Sequence, residues 1–125
     1  ALYRGELMPG AREAIETCRS AGLALALASS SSRRIIDATL DHLGLELSVI
    51  ASAQDERYGK PHPAVFLRAA ERLGVAPTEC LVFEDSLHGV IAAKAARMTV
   101  IAVPEHPDPR FAIADRVLES LLDYK

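Results

Sequence analysis

The stretch "LVFEDSLHG", residues 81–89, sets the reading of the whole chain. An apolar run ends abruptly in two adjacent acids, Glu84 and Asp85, and is followed by Ser86 and Gly89. A short apolar run bounded in this way reads as a strand buried in a sheet. Ser86 is a residue type that starts helices, and Gly89 would let the helix that follows lie close to the sheet. Two neighbouring carboxylates at a strand tip repel each other and cannot both face the core cheaply. If the strand runs on through Asp85 they point to opposite sides; if the chain turns there, both reach one pocket. A cation at that tip would compensate them, although an acidic helix start, favoured by the helix dipole, is the plainer reading.

The same strand-then-helix unit recurs along the chain. Ala11, Ala14, Ile15 and Cys18 fall on one face of a helix over 10–21, which Gly22 ends. "LALALA" (23–28) reads as a strand buried on both faces. A helix over 32–43 is expected to bury Ile35, Ile36, Leu40 and Leu43 and to stop at Gly44. "LSVIA" (47–51) is the next strand. A helix over 62–73 presents Phe66, Ala69, Ala70 and Leu73 and stops at Gly74. "CLVFE" (80–84), an alanine-rich helix over 87–97 and "MTVIAV" (98–103) follow. After the proline-rich "PEHPDPR" (104–110) come a weak helical patch, a short strand at Arg116–Leu118 and a short C-terminal helix.

Strands alternating with helices at this spacing predict an α/β domain, a Rossmann-like parallel sheet with helices on both faces. The 125 residues suit one domain, and their net charge of −3 argues against nucleic acid as a partner. No apolar run approaches the ~18 residues of a membrane span. Cys18 and Cys80 each sit in an apolar pattern and read as reduced core residues of a cytoplasmic protein. The chain starts at Ala1 and enters a helix with no strand before it, as though it began inside a domain.

In parallel sheets ligands collect at the carboxyl ends of the strands. Three loops there carry polar groups that make chemical sense together. "SSSS" (29–32) precedes a helix whose first N–H groups form an anion site. Its hydroxyls could bind phosphate, or Ser31 or Ser32 could simply cap the helix. "YGKPHP" (58–63) holds Lys60 between a glycine and a proline, which restricts it to an extended conformation. An ammonium there suits a phosphate, although most single lysines are plain loop residues. His62 reads as a solvent-facing helix-start residue with no catalytic role. Mg²⁺ takes one or two carboxylates plus waters and phosphate oxygens, which Glu84 and Asp85 could supply. A phosphate held by hydroxyls and a lysine beside a carboxylate-bound Mg²⁺ is a phosphoryl-transfer site.

These motifs resemble those of the haloacid dehalogenase superfamily of aspartate-nucleophile phosphatases. "LALASSSS" (25–32) resembles its second motif, with Ser29 at the strand tip and Ser30 beside it. "GKPHPAVF" (59–66) resembles the third, whose lysine is Lys60. "VFEDSLHG" (82–89) resembles the fourth, with Glu84 and Asp85 as the acidic pair. Within the superfamily, "ASAQDERYGKPHPAVFLRAAERLGV" (51–75), "EDSLHGVIAAKAARM" (84–98) and the "DPRF" loop (108–111) look closest to the hexitol phosphatase / 2-deoxyglucose-6-phosphate phosphatase group. Arg97 stands where many relatives, β-phosphoglucomutases among them, carry glycine.

The resemblance implies phosphate binding by Ser29, Ser30 and Lys60, and a metal site for Mg²⁺ at Asp85, with Glu84 direct or through water. It also implies hydrolysis of a sugar phosphate or similar small phosphomonoester through an aspartyl-phosphate. The family's first motif, Asp-x-Asp-Gly, is absent, and Asp37/Asp41 and Asp108/Asp115 are not spaced for it. The helical cap is absent too, so residues 1–125 read as a partial core domain, inactive by itself. The missing first strand would lie between the strands at 23–28 and 80–84. Its absence leaves two open edges, to be filled by an N-terminal segment on a polypeptide outside this sequence or by a second copy, or closed by direct pairing. Three other readings remain: a catalytically silent phosphate-binding or partner-pairing module, a β-phosphoglucomutase-like phosphotransferase, and a flavodoxin- or receiver-like domain.

Overall fold

Strands of four residues or fewer alternate with helices of nine to eleven in the computed structural model. It describes residues 11–44, 47, 49–104 and 106–120, without the side chains of residues 11, 12 and 43. In chain order these are α1 (Ala11–Ser20), β1 (Ala26–Ser29), α2 (Arg33–Leu43), β2 (Val49–Ser52), α3 (Ala64–Leu73), β3 (Leu81–Glu84), α4 (Leu87–Ala95), β4 (Thr99–Ala102) and β5 (Arg116–Val117). Short 3₁₀ turns occupy Ala53–Asp55, Pro77–Glu79 and Pro109–Ile113. The C-terminal helix and Leu45, which follows Gly44, lie outside the described residues.

Every strand pairing is parallel, as the alternating pattern predicts. The strands nevertheless form two sheets, β1–β2 and β3–β4–β5. Thus β1 and β3 do not pair with each other, and direct closure of the open edges is not what the chain does. One apolar core joins the sheets on one face. There α3 and α4 lay Val65, Phe66, Ala69, Val90 and Ala93 against Ala26, Ala28, Ala51, Val82, Val100 and Ala102. On the opposite face Leu27 and Ile50 meet Ile15 of α1 and Ile36 and Leu40 of α2. Within "LALALA" the strand takes only the last three residues, with Ala26 and Ala28 in the core of α3 and α4 and Leu27 in the cluster of α1 and α2, while Leu23 is exposed.

Two burial expectations fail for identifiable reasons. Residues of β1 are only half-buried, because among the described residues the strand has a partner on one edge alone. Ile35 is 48% exposed while its neighbour Ile36 is buried. On α2 the inward stripe is Ile36 and Leu40, four apart, and Ile35 lies about 100° round the helix from Ile36. Helix ends follow the glycines: at Gly22 (φ 80°) and Gly74 (φ 73°) the next residue donates back into the last turn, Leu23 N–H to Cys18 O and Val75 N–H to Ala70 O, both hydrogen-bonded.

Candidate active site

Within each sheet the strands are parallel, so their carboxyl ends lie together, with Ser29 in register with Ser52 and Glu84 with Ala102. Lys60 reaches these ends from the loop between β2 and α3, just before the cis Lys60–Pro61 peptide. Its Nζ donates to the Ala28 carbonyl at 3.3 Å and to Glu84 Oε2 at 3.0 Å. It also lies 4.9 Å from the centre of the Phe66 ring. One ammonium thus spans the break between the sheets, touching the tip of β1 and the tip of β3. It carries three donors, and among the described residues the protein takes two.

Glu84 is buried with Lys60, their side chains 9% and 10% exposed. Its other oxygen, Oε1, accepts from the Asp85 and Ser86 N–H groups and from Ser86 Oγ, each at 3.1 Å. Burial pushes this carboxyl up, but the Lys60 charge and these hydrogen bonds outweigh it and hold it below its ordinary value. Asp85 moves the other way, raised first by its own partial burial and then by the adjacent Glu84. The compensation that two adjacent acids require therefore comes in part from inside the protein, as Lys60 against Glu84. Asp85 has no ion-pair partner among the described residues. Among the described residues no group of three or more His, Cys, Asp or Glu side chains converges there either.

The serine loop divides its labour. Ser32 caps α2, accepting from the Ile35 N–H at 3.3 Å. Ser29 Oγ accepts from the Ser31 N–H at 3.1 Å and so shapes the turn. Ser30 is exposed, and its carbonyl accepts from Gln54 Nε2. Ser52, which sequence reasoning passed over, is 2% exposed and ties the loop down: its hydroxyl donates to the Ser31 carbonyl and accepts from the Gln54 N–H. The available signal was a hydroxyl ending an apolar strand, the same pattern that drew attention to Ser29.

Asp115 and Asp108 have structural partners. Asp115 accepts from the Val100 N–H at 2.7 Å and from Lys94 at 2.9 Å, and Asp108 pairs with Arg110. His62 is exposed, accepts from the Ala64 N–H just ahead of α3, and its ring lies 5.1 Å from that of Tyr58. Gly89 packs against Glu84 as closely as expected: a Cβ there would coincide with the glutamate side chain.

Known proteins are similar to this chain in sequence and fold. A family model described as haloacid dehalogenase-like hydrolase matches residues 1–97. Hexitol phosphatase B of Escherichia coli K12 is 45% identical over 122 residues, covering 94% of this chain and 55% of that protein. The bifunctional riboflavin kinase/FMN phosphatase of Arabidopsis thaliana is 44% identical over 94% of this chain and 32% of its own length. The crystal structure of CbbY from Rhodobacter sphaeroides in complex with phosphate superposes with a TM-score of 0.86 at 30% identity, covering 98% of this chain and 59% of that one. A β-phosphoglucomutase from Clostridium difficile gives 0.85 at 30% identity, over 96% and 53%. The chain spans about half the length of the hexitol phosphatase and of both these structures.

Proposed function

Because the chain belongs to the haloacid dehalogenase-like hydrolase family, we propose that it carries the phosphate- and metal-facing half of a Mg²⁺-dependent phosphatase. Its substrate is a sugar phosphate or a related small phosphomonoester. The observation that carries this reading is the position of Lys60, anchored to both Ala28 and Glu84 across the break between the sheets. Ala28 immediately precedes Ser29 and Glu84 immediately precedes Asp85, which supports reading these groups as one site.

In this reading the hydroxyls of Ser29 and Ser30 and the N–H groups of their turn bind phosphoryl oxygens. Lys60 offers its third donor to the same group and offsets its charge. Asp85 holds Mg²⁺, with Glu84 contributing through water because its oxygens already serve Lys60 and the start of α4. The metal, when bound, neutralises charge on the transferring phosphoryl group. Asp85, whose ionisation is opposed first by burial and then by the adjacent Glu84, suits that part.

Hydrolysis through an aspartyl-phosphate requires a nucleophilic aspartate, and none of Asp37, Asp41, Asp108 and Asp115 is spaced for the family's first motif. We assign that residue to a strand filling the slot between β1 and β3, carried on polypeptide outside residues 1–125. Residues 1–125 then form a partial core domain, without appreciable turnover alone. The free thiols of Cys18 and Cys80 suit a reducing cytoplasm. Likeness to β-phosphoglucomutase favours one second reading, a phosphotransferase that returns the phosphoryl group to a sugar.

The test is phosphate release from a panel of hexose and hexitol phosphates, with Mg²⁺ or with EDTA. The 125-residue chain is compared with a version extended upstream along its own coding sequence. Mg²⁺-dependent release by the extended protein alone is expected. Conversion to an isomeric sugar phosphate would favour the phosphotransferase, and equal release in EDTA would overturn the metal assignment.

A further inference from the structure

We infer that Gly89 is a positioning residue for Lys60 and acts on it through Glu84; its bearing on function rests on Lys60 facing the phosphate. One hydrogen-bonded string links the three. The Gly89 N–H donates to Ser86 Oγ at 3.0 Å, Ser86 Oγ donates to Glu84 Oε1 at 3.1 Å, and Glu84 Oε2 accepts from Lys60 at 3.0 Å. Glu84 folds over the bare Cα of Gly89, so a Cβ there would fall on Glu84 Cγ, Cδ and Oε2, well inside the 3.0 Å that real Cβ atoms respect.

Nothing in the backbone asks for glycine at this position. The glycines with positive φ are Gly22, Gly44 and Gly74, whereas Gly89 lies within the regular helix α4. In such a helix alanine is favoured over glycine by about 1 kcal/mol, so the missing side chain serves the space rather than the fold of α4. Glu84 cannot simply withdraw, because three donors at the start of α4 hold Oε1. A methyl group at 89 must displace Oε2, and with it the acceptor that fixes the Lys60 ammonium.

Competitive acylation of the folded chain reads this directly, with Lys94 as the internal reference because it is more exposed and, among the described residues, pairs with Asp115 alone. In wild type Lys60 is the slower of the two. In Gly89→Ala its labelling relative to Lys94 rises about tenfold, equivalent to ~1.4 kcal/mol of lost shielding. A folded Gly89→Ala protein whose Lys60 labels at the wild-type rate overturns the inference. If Gly89→Ala does not fold, the same substitution is placed in a Lys60→Met/Glu84→Ala background, where no clash remains. Folding there supports the inference, and unfolding there, with the parent folded, refutes it. Shielding of wild-type Lys60 by inorganic phosphate tests the phosphate reading alone, so the two ideas fail separately.

Discussion

Replacing Lys60 by methionine keeps the length of the side chain and removes only the charge and its donors. Glu84 then remains buried with Oε2 unpaired. Removing one partner of a buried ion pair costs about 3–5 kcal/mol. The three donors on Oε1 persist, so the low end, ~3 kcal/mol at pH 7, is expected, with Tm lower by roughly 10 °C for a domain of this size. The cost should depend on pH in a defined sense. In wild type the Glu84 carboxyl lies below its ordinary 4.5, so its contribution is complete above that pH and is lost as pH falls through the folded value. Without Lys60, burial dominates and the folded value moves above 4.5. The variant then loses stability as pH rises from 4.5 through its new folded value. Urea unfolding of both proteins between pH 4.5 and 7 should show a difference that is small at the acid end and grows to its full size near neutrality. A difference that is constant across that range, or below ~1 kcal/mol at pH 7, would refute the buried-pair reasoning.

Asp85→Asn removes a carboxylate whose charged form is disfavoured in the fold. It should raise stability at pH 7 by less than ~1 kcal/mol, since solvent screens this partly exposed group. It should also abolish any shift of the urea midpoint by MgCl₂; a shift that persists would free Asp85 from the metal. Arg97 sits at φ 67° just past α4, with the Met98 N–H donating to Ala93 O. There a side chain costs ~1–2 kcal/mol and glycine's extra unfolded-state freedom gives back ~0.4–1, so Arg97→Gly should stabilise by roughly 0.5–1 kcal/mol in thermal unfolding. Ser52→Ala leaves the Ser31 carbonyl and the Gln54 N–H without the buried hydroxyl that serves both. A loss of ~1–2 kcal/mol in denaturant unfolding is expected, with weaker phosphate binding.

The order of elements was legible because each signal is local. The last three residues of "LALALA" alternate between two faces, and the glycines at 22 and 74 stop helices by a conformation few other residues accept. "SSSS" showed both its polarity and its capping role, and Ser32 took the cap. What stayed hidden depends on residues far apart in sequence. Lys60 and Glu84, 24 positions apart, each suggested a ligand of its own. Only the juxtaposition of two strand tips reveals that they neutralise one another. Likewise the hydroxyl of Ser52 matters because Ser31 lies above it. Arg97 marks the limit of reading helix ends from glycine, since the fold imposes the left-handed conformation on an arginine. The half-buried β1 departs from the reading of its apolar run because, among the described residues, it pairs along one edge alone, which the strand's own residues do not reveal.

A side-chain and backbone NMR titration of the isotope-labelled chain with inorganic phosphate and Mg²⁺ asks most directly whether the hydroxyl turn, the ammonium and the acidic tip form one site. The account predicts that the amides of residues 29–31 and 84–86 and the Lys60 ammonium shift together along one binding curve, and that Lys60→Met removes all of these changes at once. Unmoved spectra, or changes at the serine turn and the acidic tip that follow separate curves and survive in Lys60→Met, would contradict it.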